Sequence, residues 1–279
     1  MDGLYFDDRS EIKTRVPRRG FKARIVCRIV LLSMVSLGAS HAPGADALPK
    51  DVEAAVQDST RPATDTARDA DRKPVETLAF LGVRPGEKIA DYAAGAGYFT
   101  RLFAAVVGSN GHVYASVPSP LFKYPNIVKG TSEIDAYAAS HANVTVTFAS
   151  ALDAAKYPEK LDIFWISQNY HDLHDKFMGP VDMADFNRAV YSALRPGGAY
   201  VVLDHAANEG SPADVTDTLH RIEAATVRRE VEAAGFRYEG ESGILRNPAD
   251  PHTAGVFDPS VRGRTDQFIL KFRRPGGAQ

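Results

Sequence analysis

Gln168-Asn169-Tyr170-His171-Asp172-Leu173-His174-Asp175 places two histidines and two aspartates within eight residues. A neutral imidazole beside a carboxylate can accept a proton near neutral pH, with the carboxylate fixing its tautomer. His171 is the best candidate for such a base. Asp172 and His174 stand beside it, and Tyr170 offers an orienting hydroxyl. The same string also reads as a solvated loop entering a helix, with Asp172 or Asp175 as N-cap. Residue types alone leave both readings open. A second segment, KIADYAAGAGYFTR over 88–101, has a different chemistry. A short apolar run ends in Asp91, and the small residues Ala93, Ala94, Gly95, Ala96 and Gly97 follow. An apolar pattern of helical spacing then runs through Phe99, Leu102, Phe103, Val106 and Val107. A strand, a small-residue turn and a helix let backbone N–H groups and a helix N-terminus approach a nucleotide-type ligand.

These residues need elements to position them, and the pattern supplies an alternating α/β order. Strands are expected over 88–91, 112–117, 144–148, 161–167, 199–204, 236–242 and 267–272. Helices are expected over 74–81, 99–107, 131–140, 182–194 and 222–234. Gly82 and Gly235 stand where helix C-caps require a residue tolerant of positive φ. Arg195-Pro196-Gly197-Gly198 breaks the fourth of these helices before the fifth strand. Residues 48–72 are polar, with interspersed proline, and read as a linker and N-terminal extension. The domain proper is expected over 73–274.

The chain has 279 residues, 44% of them hydrophobic, and a formal net charge of −2. That suits one large core and gives no basic surface for nucleic acid. Over 1–47 the grammar is that of a secretory leader. Six basic residues from Arg15 to Arg28 precede the eleven-residue apolar run IVLLSMVSLGA, which is short for a bilayer span. Small-x-small cleavage sites end at Ala42 and Ala47. We expect an exported protein, periplasmic or secreted, with no membrane segment after cleavage. Cys27, the only cysteine, would leave with the leader.

Three motifs in order carry a family resemblance: Asp91-x-x-x-Gly95-x-Gly97 after a strand, Leu194-Arg195-Pro196-Gly197-Gly198 before a buried strand, and a last helix leading into a terminal strand pair. Over 73–273 the chain resembles the class I S-adenosylmethionine-dependent methyltransferases. More narrowly, it resembles a bacterial group of exported methyltransferases. The elements carrying that likeness are Asn169-Tyr170-His171-Asp172, Leu219-His220-Arg221-Ile222, Leu245-Arg246-Asn247-Pro248 and the Arg262-to-Asp266 turn. The resemblance implies a Rossmann-like seven-stranded sheet with helices on both faces and an antiparallel last strand. S-adenosylmethionine would lie across the carboxyl ends of the first strands.

Residue by residue, the resemblance assigns Asp91 to the acidic start of the cofactor loop. Ala93 falls on its first glycine, Gly95 and Gly97 on the last two, and Tyr98 follows. Gly97 would admit the methionine portion. The family's ribose-binding acid has no counterpart at the end of the second strand, where Val117 or Pro118 stands. A carboxylate there would contribute about 1.5–3 kcal/mol through hydrogen bonds from the ribose hydroxyls. Ser116 is expected to replace part of it, and Asp153 is the local candidate for the adenine. The metal-dependent catechol-type relatives place ligands at the ends of the fourth and fifth strands. Here Ser167 and Asp204-His205 stand there, so although His171 and His174 could share a helix face, we expect no metal. Arg246, Asn247, Asp250, His252, Arg262, Arg264 and Asp266 form a long polar excursion. It reads either as a binding loop for an anionic small molecule or as a surface loop pinned by Arg–Asp pairs.

Two functions fit these expectations. One is a methyltransferase acting on an unidentified small molecule. The other is an exported protein of the same fold that has lost S-adenosylmethionine and uses the cleft for another ligand.

Overall fold

The computed structural model describes residues 49–179 and 181–276. The expected leader, Cys27 and the cleavage sites lie outside the described residues.

Seven strands form one sheet in the order β3-β2-β1-β4-β5-β7-β6. They are β1 (Lys88–Tyr92), β2 (His112–Pro118), β3 (Val144–Ala149), β4 (Leu161–Ser167), β5 (Leu194–His205), β6 (Arg237–Ser242) and β7 (Gln267–Arg273). β1 to β5 pair in parallel, and β7 runs antiparallel to β5 and β6. The expected sheet, with its reversed last strand, is present.

Strand periodicity builds a core on each face. In β4, Ile163 and Trp165 join one apolar cluster, and Phe164 and Ile166 join the other. In β1, Ile89 and Ala90 divide in the same way. One face is covered by α4 (Pro74–Leu81) and α5 (Tyr98–Val107), through Leu78, Leu81, Phe99, Leu102 and Phe103. The other is covered by α7 (Met183–Ala193) and, after the short α8 (Val215–Leu219), by α9 (Ala224–Ala233), through Phe186, Val190, Val227 and Val231. α4 starts with proline at its first turn and ends on Gly82 at φ 77°, both favoured by local sterics. α7 is capped by Asp182, whose carboxylate accepts the Asp185 N–H at 3.0 Å.

The expected linker over 48–72 is instead part of the fold. It forms α1 (Lys50–Gln57), α2 (Ala63–Thr66) and α3 (Asp69–Arg72). Val52 and Ala55, three apart on α1, face inward and complete the α4/α5 core. Asp65 of α2 accepts two hydrogen bonds from Arg101 of α5, at 2.7 and 2.9 Å, with both side chains buried. Helix α6 (Pro125–Ala139) begins six residues earlier than expected, because Pro125 sits at its first turn, where a missing N–H costs nothing. Among the described residues no helix is long and apolar enough to cross a membrane.

Candidate functional site

The carboxyl ends of β1, β2 and β4 open into a narrow cleft of about 150 Å³. Its floor is the loop from Asp91 to Tyr98. The loop folds as it does because Ala93, Gly95 and Gly97 all take positive φ, at 58°, 56° and 79°. Glycine accepts this freely, whereas Ala93 pays a steric cost of about 1–2 kcal/mol. Gly95 and Gly97 play different parts. A Cβ on Gly95 would meet nothing within 4 Å, and Gly95 lines the cleft. A Cβ on Gly97 would lie 2.8 Å from two side-chain carbons of Ile134 on α6. Gly97 therefore lets α6 pack on the loop, whereas Gly95 leaves its cleft side open.

Asp91, the next-to-last residue of β1, is buried and accepts the Thr100 hydroxyl at 2.6 Å. Burial pushes its carboxyl up to about 6, against the pull of Thr100 and of the Arg72 guanidinium. Arg72 and Arg68, on the segment expected to be a linker, also line the cleft. The Arg72 guanidinium lies 4.6 Å from the Tyr98 ring centroid, and burial lowers its pKa to about 10. Tyr98 lines the cleft as well, and its hydroxyl donates to Asp69 at 2.6 Å. Val117, Leu121 and Ile127 make the opposite wall apolar. Ser167, Gln168 and Asn169 close the β4 side, with Gln168 at φ 59°.

Two of the residues expected to hold the cofactor lie away from the cleft. The Ser116 hydroxyl is turned into the sheet, 3.2 Å from the Tyr157 hydroxyl, and it accepts from Thr147 at 3.3 Å. It is fully buried and does not line the cleft, because the β2 pleat sends it to the face opposite Val117. Asp153 is exposed on the surface and held by Lys156 and Ser150, at 2.6 and 2.7 Å.

The eight-residue cluster past β4 divides in two. Tyr170 and His174 turn away, toward α9. The Tyr170 hydroxyl donates to Glu230 at 2.8 Å and accepts from Asn187 at 2.9 Å. His174 lies 3.2 Å from Glu230. Neither lines the cleft. His171 is buried between two carboxylates instead. Its Nδ1 is 2.8 Å from Asp204 Oδ1, and its Nε2 is 3.2 Å from Asp172 Oδ1. Burial disfavours the imidazolium, but Asp204 and Asp172 outweigh it and raise the pKa to about 10. Burial likewise opposes ionisation of Asp172, but hydrogen bonds from His171 and His220 hold it down at about 2. The expected neutral base is therefore an imidazolium at neutral pH when only these side chains surround it. His205 is the opposite case: burial lowers it to about 4, and its Nδ1 meets the Thr265 hydroxyl at 2.7 Å.

Of the arginines in the polar excursion, Arg246 and Arg264 are engaged in the fold, the latter donating to the Ser260 carbonyl at 3.1 Å, whereas Arg262 is exposed. Arg221 is wholly buried and pairs twice with Asp250, at 2.9 and 3.0 Å. Arg246 donates to Asp266 at 2.9 Å, and His252 meets the same carboxylate at 3.0 Å. Much of the loop is thus pinned by buried carboxylates. A larger concavity, about 1120 Å³, lies between α1, α5 and α6. It reaches His112 and Asn143 at the amino ends of β2 and β3, opposite the edge where open α/β sheets bind ligands.

Arg72, Arg68, Leu121 and Ile127 escaped the sequence reading. Arg72 was hidden by its place in a polar stretch, Leu121 by its place in a short 3₁₀ turn after β2, and Ile127 by its place in the first turn of α6, ahead of the expected helix start.

No family model matches the chain. A ubiquinone/menaquinone biosynthesis C-methyltransferase of Ectopseudomonas mendocina is 32% identical over 202 residues, covering 70% of this chain and 66% of that one. The enzyme of the same name from Teredinibacter turnerae is 26% identical over 190 residues, covering 65% and 69%. The chain thus spans about two thirds of the length of these curated relatives. Among solved structures, an arsenic(III) S-adenosylmethionine methyltransferase from Chlamydomonas reinhardtii superposes with a TM-score of 0.50 at 19% identity, covering 84% and 76%. The [4+2]-cyclase SpnF does so at 0.50 and 16%, covering 77% and 82%. The fold therefore hosts more than one reaction. The chain's fold is that of the class I S-adenosylmethionine-dependent methyltransferases, and the curated proteins it resembles are methyltransferases.

Proposed function

We propose that the chain is an S-adenosylmethionine-dependent methyltransferase acting on a small molecule. The observation that carries this is the β1–loop–α5 cradle. It has a buried acid at Asp91, an open face at Gly95 and two cations at its rim, Arg68 and Arg72. The donor set fits the cofactor's methionine end: the Asp91 carboxylate suits an ammonium and the Arg72 guanidinium a carboxylate. Val117, Leu121 and Ile127 suit the flat apolar face of a purine. No carboxylate is offered to the ribose, so affinity rests on the two ends.

When bound, the cofactor supplies a methyl group already activated on a sulfonium sulfur. The chain's part is alignment and exclusion of water. Asp91 and Arg72 fix one end, and Ser167, Gln168 and Asn169 border the side from which an acceptor enters. His171 is not used as a base, because Asp204 and Asp172 hold its ring as an imidazolium. A carbon acceptor, in the manner of the curated relatives, is the first to assay. The expectation of export rests on the leader grammar of 1–47. N-terminal sequencing of the protein from its native host tests it: a chain beginning at or near Leu48 supports export, and an uncleaved start removes it.

Isothermal titration with S-adenosylmethionine and S-adenosylhomocysteine tests the activity's first requirement. Saturable binding with one equivalent is expected. Absence of binding at millimolar ligand would remove the proposal.

A further inference from the structure

Beyond the cradle, the end of β5 organises a second group of chemistry-bearing side chains. Asp204 has no exposed surface. Its Oδ2 accepts the backbone N–H of His171 at 2.8 Å. Its Oδ1 accepts the N–H of His205 at 2.8 Å and lies 2.8 Å from His171 Nδ1. The His171 ring is thereby fixed in direction, with Nδ1 as donor. Its other nitrogen, Nε2, faces Asp172 Oδ1 at 3.2 Å, and His220 Nδ1 lies 3.7 Å from that same oxygen. One ligand atom from each of His171, Asp172 and His220 falls within 4.8 Å of the others.

We propose that His171 Nε2, Asp172 and His220 Nδ1 bind a divalent transition-metal ion of the zinc class. Nitrogen and oxygen ligands at zinc's usual bond lengths of about 2.0–2.2 Å stand roughly 3.3 Å apart around a tetrahedron. The two separations along Asp172 bracket that value. A buried carboxylate holding the far nitrogen of a ligating histidine is the outer arrangement that orients metal-bound imidazoles and raises their basicity.

A second observation supports the site. Asp175, at the end of the same turn, is 2% exposed, yet neither carboxylate oxygen has a hydrogen-bond partner. Buried polar groups in native proteins are nearly always satisfied.

Two imidazoles and one carboxylate suit zinc or iron(II) better than magnesium or calcium, which take all-oxygen shells. Three protein ligands leave a position open for water or a substrate atom, the pattern of reactive rather than structural sites. This site differs from the metal arrangement weighed from sequence. There His174 was paired with His171, but His174 is turned to Glu230. His220 takes its place from 49 residues downstream.

The test uses the untagged full chain, stripped with chelator and titrated with Zn²⁺ and Co²⁺. One equivalent is expected to bind at micromolar affinity or tighter, with Co²⁺ giving the visible absorption of a low-coordinate nitrogen/oxygen site. His220→Ala, at a partly exposed position, is expected to weaken Zn²⁺ binding at least tenfold and to erase the Co²⁺ spectrum. Asp204→Asn, if circular dichroism shows it folded, is expected to weaken binding about 10–100-fold. His174→Ala is expected to leave it unchanged. No stoichiometric binding by the folded chain, or equal binding by His220→Ala, overturns the proposal. S-adenosylmethionine is titrated separately: retained zinc with no cofactor binding sinks only the methyltransferase reading.

Discussion

Gly95 and Gly97 stand two residues apart in one loop, and the structure assigns them opposite consequences on substitution. Both have positive φ, so an alanine at either costs about 1–2 kcal/mol in backbone strain. At Gly95 no further penalty arises, because the new methyl meets no atom within 4 Å. That methyl enters the cleft. At Gly97 the methyl would sit 2.8 Å from Ile134 Cδ1 and Cγ1. Overpacking of this kind adds about 1–3 kcal/mol, for a total of about 2–5 kcal/mol. Urea unfolding measures stability, and titration with S-adenosylmethionine measures affinity. Gly95→Ala is expected to lose about 1–2 kcal/mol of stability and at least tenfold in affinity. Gly97→Ala is expected to lose two to three times as much stability. Adding Ile134→Val to Gly97→Ala should recover part of that stability, since it removes the Cδ1 contact while keeping the one at Cγ1. Equal stabilities for the two alanine variants, or unchanged affinity in Gly95→Ala, would refute this division of roles.

Further outcomes follow from the same geometry. Asp91 has a carboxyl raised from 3.8 to about 6, so folding disfavours its ionisation. Stability relative to Asp91→Asn should fall as pH rises from about 4 to about 6 and level off above, by up to about 3 kcal/mol. Cofactor affinity should fall in the other direction, as pH drops through about 6 and the carboxylate is protonated. Urea midpoints and titrations across pH 4–8 read both, and a flat profile in each would contradict them. Asp65→Ala leaves Arg101 buried without its partner and should cost about 3–5 kcal/mol. A change below 1 kcal/mol would mean that α2 is not integral to the domain. Tyr170→Phe removes two buried hydrogen bonds and should cost about 1–3 kcal/mol while leaving cofactor affinity unchanged. A drop in affinity would restore Tyr170 to the site.

The sheet and its main helices were legible because their signals are local. Ile163-Phe164-Trp165-Ile166 is an apolar run bounded by turns, and Phe99, Leu102, Phe103 and Val106 repeat at helical spacing. Residues 49–72 were not, because α1 buries only Val52 and Ala55, and α2 and α3 are four residues each. Such short helices are specified by what they pack on, not by propensity. In the site, the loop at Asp91 was legible from its small residues. The surroundings of His171 were not, since Asp204 lies 33 residues away and reaches it only through the pairing of β4 with β5. The same limit hid the separation of Tyr170 and His174 from their neighbours, which follows from Glu230, about 60 positions along the chain from Tyr170.

A crystal structure of the chain with S-adenosylhomocysteine tests the central claim most directly. The account predicts the ligand across the carboxyl ends of β1 and β4, its amino-acid end between Asp91 and Arg72 and its purine on Val117 and Leu121. A ligand seated in the concavity between α1, α5 and α6, or a cleft that stays closed at saturating concentration, would contradict it.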